Sequence, residues 1–443
     1  MENDFRTASK RFWTTIRRLR RGKQCIVNTV YGGDGALLTS NWDVVDRWKE
    51  YFEDLLNPTD TPSGKEAGPG DSGVGSPISE AEVAVVVKKL LGGRAPGVDE
   101  VRLEFLKALD VVGLSWLTRL CSIAWTSGAV PLDWQTGVVV PLFQKGDRRV
   151  VEQLYTLCRI LEGAWEFAQP VHMCFVDLKK AFDRVPRGVL WGVLRVYGVS
   201  DPLIRAVCSL YDWCQSLVRI ASNKTDLFPV RVGLRQDCPL SPILFIIFMD
   251  RISRRSQVIE GVRFGDLRIG SLLFVDDVVL LALSDRDLQL LLDRFAAKCK
   301  AAGMRISTSK SESMVLNRKR VECTLRVGDE ILPQVEEFKY LGVLFTSEGR
   351  MEREIDRRIG AASAVMRTLH RSVVVKRELS RKAKLSIYQS IFVPALTYGH
   401  ELWVVTERTR SQVQAAEMSF LHRVAGLSLR DRVRSSVIRE ELE

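Results

Sequence analysis

The sequence predicts a mixed α/β (α+β) fold with more than one domain, and three observations support this prediction. The chain has 443 residues, of which 46% are hydrophobic and 27% are charged. This composition is globular, and the length is sufficient to bury a large core. Between roughly residues 80 and 346, short apolar segments typical of strands alternate with amphipathic segments typical of helices. Beyond Met351 the pattern is helical only.

The chain divides into five predicted segments. Residues 1–57 form a basic helical segment, and residues 58–77 form a Pro/Gly/Ser-rich linker. Residues 78–150 contain helices and one strand, residues 151–345 alternate between strands and helices, and residues 346–443 are helical. Because a linker of this composition behaves as a flexible chain, it is the clearest predicted boundary.

Local signals predict where several elements begin and end. Ser79 starts the pattern Ser-Glu-Ala-Glu and predicts the start of a helix. A second helix is predicted between the capping box Ser284–Asp287 and Gly303. The segments "VHMCFVDL", "SMVLN" and "FKYLGVLF" are short and rich in apolar residues. They are therefore predicted to be strands.

Charge and cysteine content restrict the classes of partner and location. The formal net charge is +11 and the pI is near 9.3, with basic runs near both ends. Such runs are often solvated helix faces, but in a basic chain they favour binding to a polyanion. Nine cysteines without a C-x-x-C pair and four scattered histidines predict no zinc site. We expect an intracellular protein of the cytoplasm or nucleus, with no signal peptide and no membrane partner.

The segment "SLLFVDDVVLLAL" (271–283) is an apolar run interrupted only by Asp276 and Asp277. Two adjacent carboxylates repel each other, and burying either without a partner is costly. One explanation is a hairpin in which the aspartates form the turn, and another is a site in which both carboxylates hold cations. Taken alone, the doublet is more typical of a hairpin, because short motifs often match by chance.

A second apolar strand, in "CFVDLKKAFD", also ends in a carboxylate, that of Asp177. If both strands belong to one sheet and deliver their carboxylates to the same edge, they form a hard-oxygen site suited to Mg²⁺. Two such ions hold the attacking and leaving oxygens of a phosphoryl displacement. The two strands together, in a basic chain, therefore favour a cation site.

Several motifs, taken in order, resemble a known family. The segments "FVDLKKAFDRVP", "GLRQDCPLSPILF", "LLFVDDVVLLA", "GMRISTSKSE" and "FKYLGVLF" resemble the successive motifs of reverse transcriptases. Upstream, "GRAPGVDEVRLEFLK" and "DWQTGVVVPLFQKGD" are most similar to non-LTR, LINE-type retrotransposon enzymes. The resemblance implies a right-hand polymerase with a fingers remnant (78–150), a palm (151–345) and a thumb-like region (346–443).

The resemblance also implies a function, which is RNA-directed DNA synthesis with an RNA template, a DNA primer and dNTPs. It leaves the oligomeric state open. Asp177, Asp276 and Asp277 match the catalytic carboxylates that bind two Mg²⁺ ions, with Mn²⁺ as a possible substitute. Lys310, in "STSKSE", matches a catalytic lysine that protonates the departing pyrophosphate.

Three further residues match positions that contact the nucleotide or template. Phe182 matches an aromatic residue under the incoming sugar, where a ring excludes a 2′-hydroxyl. Core packing is the alternative role for a phenylalanine. Arg235 and Gln236 match residues that contact template and nucleotide. Asp183 is instead expected to be a structural acid at a helix start.

Two departures from the family pattern lead us to expect a partial copy with an internal fingers deletion. The segment "LFQKGDRRV" runs directly into "VEQLYTLCRILEGAWEF", so the family's intervening stretch, with its triphosphate-binding arginine, has no counterpart. Asp237 stands where the family has a glycine that permits close backbone approach to the nucleotide. The alternative reading is therefore a catalytically inactive relic that still binds nucleic acid.

Overall fold

The computed structural model describes most of the chain. The described residues are 30–32, 36–58, 77–90, 97, 99–139, 151–220, 223–236, 238–256, 261–264, 267–318, 320–374, 379–427, 431 and 433–442. The first basic run, most of the predicted linker, the "KGD" segment and Asp237 lie outside these residues. The predictions for them are therefore not addressed by the structure.

Helices dominate both ends of the described chain. The α-helices are α1 (Asn41–Leu56), α2 (Glu80–Lys89), α3 (Leu103–Lys107), α4 (Val111–Ser127), α5 (Leu132–Gln135), α6 (Val151–Glu166), α7 (Arg187–Val196), α8 (Asp201–Ser209), α9 (Ser241–Ser256), α10 (Asp285–Ala301), α11 (Glu352–Leu369), α12 (Arg381–Ile387), α13 (Val393–Thr397), α14 (Glu407–Ala425) and α15 (Ser435–Leu442). Shorter 3₁₀ or π turns cover Phe182–Arg184, His370–Val374, Tyr388–Phe392 and His400–Leu402.

Strands are concentrated between these helical regions. They are β1 (Val30–Tyr31), β2 (Leu37–Leu38), β3 (Thr136–Val139), β4 (Val171–Val176), β5 (Gln215–Ile220), β6 (Asn223–Lys224), β7 (Phe228–Pro229), β8 (Val262–Phe264), β9 (Leu267–Ile269), β10 (Ser271–Phe274), β11 (Asp277–Ala282), β12 (Glu312–Leu316), β13 (Arg326–Val327), β14 (Glu330–Ile331), β15 (Glu337–Tyr340) and β16 (Val343–Thr346). The predicted mixed α/β fold is confirmed, and the chain after Met351 is helical as expected.

Two of the predicted helix starts are confirmed in detail. The side chain of Ser79 accepts a hydrogen bond from the backbone of Glu82, and the carboxylate of Glu82 bonds back to Ser79. The side chain of Ser284 accepts from the backbone of Asp287 at the start of α10. These bonds satisfy N–H groups that have no partner within the first turn of a helix.

The central sheet has the strand order β10-β11-β4-β12, and every neighbouring pair in it is antiparallel. Strand β4 lies between β11 and β12, and all six of its residues are buried. A strand covered on both faces is expected to be apolar, and five of the six residues of "VHMCFV" are, with His172 as the exception.

The two faces of the sheet carry separate hydrophobic cores. Cys174 and Val176 of β4 belong to the core that contains the buried residues of α9 and α10. Met173 and Phe175, which alternate with them, belong to the core formed with α6 and the β15–β16 hairpin. Because side chains alternate across a strand, one strand supports both cores.

A smaller sheet combines strands from both sides of the predicted palm boundary. Strand β3 pairs in parallel with β5, which also pairs antiparallel with β6 and β7. The helix α1 packs on this sheet through Val44 and Val45, which are fully buried. In the segment "FPVRVGL" (228–234) only Phe228 and Pro229 form a strand, β7, and the residues after them form a loop beside the site described below.

The C-terminal helices form a third core, and a charged cluster joins them to the β15–β16 hairpin. Glu354 of α11 has no exposed surface. Its carboxylate accepts hydrogen bonds from Arg357 Nε (2.8 Å), Arg358 Nε (2.6 Å) and the backbone N–H of Leu344 (3.0 Å). Both guanidinium groups also donate to the carbonyl oxygen of Gly342 at the hairpin tip. We call Glu354, Arg357 and Arg358 the Glu354 cluster.

In the part of the chain that the structure describes, we find no helix with both the length and the apolar character needed to cross a bilayer.

Candidate active site

The antiparallel pairing of β11 with β4 brings two of the predicted carboxylates to the same edge of the sheet. In this pairing Val278 lies opposite Val176. One further step along both strands puts Asp277 opposite Asp177, although these two residues are 100 positions apart in the chain. Asp276 lies next to them, in the turn between β10 and β11.

The two explanations for the aspartate doublet are compatible in the structure. Phe274 pairs with Asp277, so Val275 and Asp276 form a two-residue hairpin turn. Val275 has a φ of 55°, a left-handed conformation that is costly for a β-branched residue. Strain of this kind persists only where the surrounding structure enforces it, and it is common at functional sites. The hairpin therefore sets the positions of the two carboxylates.

Lys310 lies on the other side of Asp177. In the pairing of β12 with β4, Glu312 lies opposite Phe175. The exposed Lys310 lies in the turn that precedes β12, close enough for its charge to act on Asp177. The backbone N–H of Asp177 donates to Ser311 Oγ (3.0 Å), and its carbonyl oxygen accepts from the N–H of Ser307 (2.8 Å). These bonds hold the "STSK" turn against the end of β4.

The carboxylates have raised pKa values because of their surroundings. Partial removal from water raises the pKa of Asp277 to about 6, and the negative charges of Asp276 and Asp177 add to this effect. Burial also raises the pKa of Asp177, and Asp276 acts in the same direction. The positive charge of Lys310 opposes the shift of Asp177. Like charges thus accumulate at this edge, which is the arrangement that a bound cation would relieve.

The chemistry of these groups fits Mg²⁺. The described residues include no group of three or more His, Cys, Asp or Glu side chains arranged to hold a metal ion. Mg²⁺, however, is usually bound by one or two carboxylates together with water and substrate phosphates, not by a complete protein cage. Asp177, Asp276 and Asp277 can supply such carboxylates, so the site fits an ion that arrives with a nucleotide.

The residues predicted to contact nucleotide or template lie in a second group. The ring of Phe182 stacks on that of Phe245, with centroids 4.2 Å apart and an interplanar angle of 17°. The backbone N–H of Leu234 donates to the carbonyl oxygen of Phe182 (2.8 Å). Two residues later, Gln236 Nε2 donates to Asp183 Oδ1 (3.2 Å). Phe182 and Gln236 are therefore held close together.

Arg235 and Asp183 have defined partners. The guanidinium group of Arg235 donates to the carbonyl oxygen of Trp134. Asp183, expected to be an acid at a helix start, lies in the 3₁₀ turn Phe182–Arg184, where it accepts from Gln236. Burial raises the pKa of Asp183, and its bond from Gln236 opposes that shift. Its structural role is thus to connect two loops.

Sequence reasoning missed two residues of this region. Arg187, the first residue of α7, donates to four backbone carbonyl oxygens. Tyr340, at the end of β15, is buried and its hydroxyl group finds no hydrogen-bond partner among the described residues. Burial and the charge of Asp277 both raise the pKa of Tyr340. A single arginine or tyrosine has no distinguishing pattern, so no sequence signal could have found either.

Residues 139–345 match the model of the family described as reverse transcriptase (RNA-dependent DNA polymerase). The matched range contains both strand-end carboxylate positions, Lys310 and the loop that carries Arg235 and Gln236. Residues 139–345 thus carry a reverse transcriptase domain, and the relatives that the chain resembles are proteins of non-LTR retrotransposons. The resemblance inferred from the sequence motifs is confirmed.

Three relatives indicate that branch of the family. The Pol polyprotein of the type-2 retrotransposable element R2DM of Drosophila melanogaster is 26% identical over 54% of this chain, which covers 23% of that protein. The RNA-directed DNA polymerase from the mobile element jockey of Drosophila funebris is 23% identical over 65% of the chain and 32% of that protein. The transposon TX1 149 kDa protein of Xenopus laevis is 22% identical over 76% of the chain and 30% of that protein. The chain thus spans about a quarter to a third of the length of these relatives.

Solved structures show only a distant likeness. A telomerase from Candida tropicalis, in complex with a fragment of telomeric RNA, matches with a TM-score of 0.37 and 11% sequence identity. That match covers 74% of this chain and 55% of the telomerase chain. A foamy viral protease–reverse transcriptase in complex with double-stranded DNA matches with a TM-score of 0.29 and 13% identity. TM-scores this low carry no argument about function.

Proposed function

We propose that this chain is an RNA-directed DNA polymerase that extends a primer 3′-hydroxyl with deoxynucleotides on an RNA template. In this reaction the 3′-oxygen attacks the α-phosphorus of a dNTP, an O–P bond forms and the bond to pyrophosphate breaks. The observation that carries the proposal is the register of β4 and β11, which brings the adjoining Asp177 and Asp277 to one sheet edge inside the matched reverse transcriptase range.

The carboxylates of Asp177, Asp276 and Asp277 would hold two Mg²⁺ ions, or Mn²⁺ in their place. Bound ions of this kind supply charge stabilisation for the triphosphate and lower the pKa of the attacking hydroxyl. The chain's own contribution is a rigid carboxylate edge, since the aspartates lie at the ends of paired strands whose other residues are buried. Lys310 donates a proton to the leaving pyrophosphate, for which its exposed position beside Asp177 is suitable.

The nucleotide sugar would lie against Phe182. The ring cannot move away easily, because it stacks on Phe245 in the core. A fixed ring at that point clashes with a 2′-hydroxyl and selects deoxynucleotides. Gln236 and Arg235 contact the nucleotide and the template from the neighbouring loop. Gln236 would use the amide hydrogen that is not bonded to Asp183, and Arg235 would use the guanidinium hydrogens that are not bonded to Trp134.

Binding to a template and primer would depend on charge. The chain carries a net charge of +11 and has basic segments near both ends. Each phosphate contact that releases a counterion contributes about −0.7 to −0.9 to the log–log salt slope of the binding constant. We include an intracellular location, in cytoplasm or nucleus, in this proposal. RNA and primer meet there, and the scattered cysteines suit a reducing compartment.

The test is a primer-extension assay with an RNA template, dNTPs and Mg²⁺. The unmodified chain is expected to extend the primer, and Asp276→Ala is expected to reduce extension to background. Asp329→Ala is the matched control, because Asp329 is also an exposed aspartate in a hairpin turn, between β13 and β14. Equal loss of extension in both variants, or none in Asp276→Ala, would remove the support for a carboxylate site.

The second candidate is a nucleic-acid-binding relic without polymerase activity. The sequence favours it at two points, the missing stretch after "KGD" and Asp237 in place of glycine. Asp237 would add bulk and negative charge next to a triphosphate, both unfavourable. The same assay separates the two functions when binding is measured alongside extension. Salt-sensitive binding of the RNA–primer duplex with no extension would identify the relic.

A further inference from the structure

Arg187 has an unusual set of partners for a charged side chain. Its Nε donates to the carbonyl oxygen of Gly233 (3.1 Å) and its Nη2 to that of Val232 (3.3 Å). Its Nη1 donates to the carbonyl oxygens of Val230 (2.7 Å) and Tyr211 (2.8 Å). Its guanidinium carbon also lies 5.0 Å from the centroid of the Tyr211 ring. The guanidinium group is therefore solvated by the backbone, in place of water.

Three of these four carbonyl groups belong to one short stretch, which we call the 230–236 loop. The N–H groups of the same loop are bonded to other elements. Val232 donates to the carbonyl oxygen of Leu56 (3.2 Å), and Gly233 donates to that of Val185 (2.9 Å). The loop is thus held from both sides, by backbone bonds through its N–H groups and by Arg187 through its carbonyl groups.

The loop is also packed tightly against the turn that carries Phe182. Gly233 has a φ of 81°, and a Cβ atom there would lie 2.6 Å from the carbonyl oxygen of Asp183. Only glycine allows this approach. Leu234 then bonds to the backbone of Phe182, and Gln236 bonds to the side chain of Asp183. Any displacement of the loop would therefore change the positions of Gln236 and Arg235 relative to Phe182.

We infer that Arg187 is a positioning residue for the incoming nucleotide. It holds the 230–236 loop so that Gln236 and Arg235 face the same nucleotide as Phe182. The link to the nucleotide rests on the proposed polymerase function. The statement that Arg187 holds the loop rests on the hydrogen bonds alone. Arginine suits the role because its planar group donates in several fixed directions at once, whereas a lysine ammonium is a compact charge on a flexible stem.

The experiment uses the full chain with Arg187→Lys and Arg187→Met. Arg195→Lys and Arg195→Met are the matched controls, since Arg195 lies on the same helix and its side chain forms a surface ion pair with Asp201 at 3.5 Å. Hydrogen exchange of the loop amides is measured first. We expect exchange at Val232, Gly233 and Leu234 to rise about tenfold or more in Arg187→Lys, the order expected for loss of one hydrogen bond to a charged group. Exchange in β4 and β11 should not change.

Primer extension at saturating template and primer is measured second. Arg187→Lys should raise the KM for dNTP by about tenfold, with a much smaller change in kcat, because the loop positions the nucleotide without touching the reacting atoms. The Arg195 variants should match the unmodified chain in both measurements. Arg187→Met tests loss of the charge, and Arg187→Lys keeps the inference testable if the methionine variant does not fold.

The outcomes distinguish this inference from the function on which it rests. Unchanged exchange in the loop, or an equal rise throughout the sheet, would overturn the positioning role. Faster loop exchange with an unchanged KM for dNTP would overturn the link to the nucleotide. If the unmodified chain extends no primer, the polymerase proposal and the kinetic half of the inference fail together, and the exchange data still decide whether Arg187 holds the loop.

Discussion

Glu354 in the C-terminal helices and Asp277 at the sheet edge are both carboxylates removed from bulk water to some degree, but their neighbours carry opposite charges. Glu354 is completely buried and bonded to two guanidinium groups and a backbone N–H. The charged groups that act on the pKa of Asp277 are two further carboxylates, those of Asp276 and Asp177. The charge of Glu354 is neutralised by arginines of the same helix. The charges of the three aspartates are not neutralised by one another, so a cation would stabilise them.

This difference separates a residue that stabilises the fold from residues for which we propose a function. A buried carboxylate with every partner in place holds α11 to the tip of the β15–β16 hairpin. Crowded carboxylates cost stability in the free protein, and proteins accept such costs mainly at functional sites. The comparison predicts that neutralising the two kinds of carboxylate will change stability in opposite directions.

The largest expected effect is that of Glu354→Gln. The variant would leave two arginines without their carboxylate in a buried position, and breaking a buried ion pair in this way costs about 3–5 kcal/mol. Chemical denaturation measures the free energy of unfolding. Glu352→Gln, an exposed position on the same helix, is the control and should stay within about 0.5 kcal/mol of the unmodified chain. A loss below 1 kcal/mol in Glu354→Gln, by the same scale, would contradict the pairing.

A smaller effect of opposite sign is expected for Asp277→Asn. Removing one of two like charges that face each other across paired strands should raise the free energy of unfolding by about 0.2–1 kcal/mol. Primer extension should fall in the same variant. Asp329→Asn, which removes an exposed charge away from the sheet edge, should change neither property. A clear loss of stability in Asp277→Asn would mean that this carboxylate is paired after all.

The smallest effect concerns pH. The pKa of Asp277 is about 6 in the folded chain, raised from the usual value of 3.8 for an aspartate. Between these values the folded state binds more protons than the unfolded state, so this group makes stability fall as pH rises, and above about pH 6 the loss is complete. The measurement is the difference in unfolding free energy between the unmodified chain and Asp277→Asn across this range. That difference should grow in favour of the variant as pH rises.

Magnesium provides the control for the pH prediction. A bound cation favours the charged carboxylate, so Mg²⁺ should lower the pKa of Asp277 and reduce the difference between the two chains. Ca²⁺ is a useful comparison because it also prefers oxygen ligands but accepts a looser geometry. If neither ion changes the difference, the sheet edge does not bind divalent cations in the absence of a nucleotide.

Much of the candidate site could be predicted because its signals are local. An apolar run broken by two aspartates predicts a hairpin with carboxylates at its tip, and the order of the motifs predicts the family. The caps at Ser79 and Ser284 depend only on residues three positions away. What could not be predicted are contacts between segments far apart in the chain. Asp177 and Ser311 are 134 positions apart, and neither residue indicates the other.

By itself, then, the sequence determined which apolar segments end in carboxylates and which family the motifs resemble. Only the tertiary structure decided that β11 and β12 flank β4, which brings Asp277 and Asp177 to one edge of the sheet, with Lys310 in the turn that precedes β12. It also decided that Arg187 is bonded to carbonyl groups and that Glu354 is surrounded by arginines. The physical reason is that an isolated charge has the same local pattern wherever it lies, and its role is set by the partners that folding brings to it.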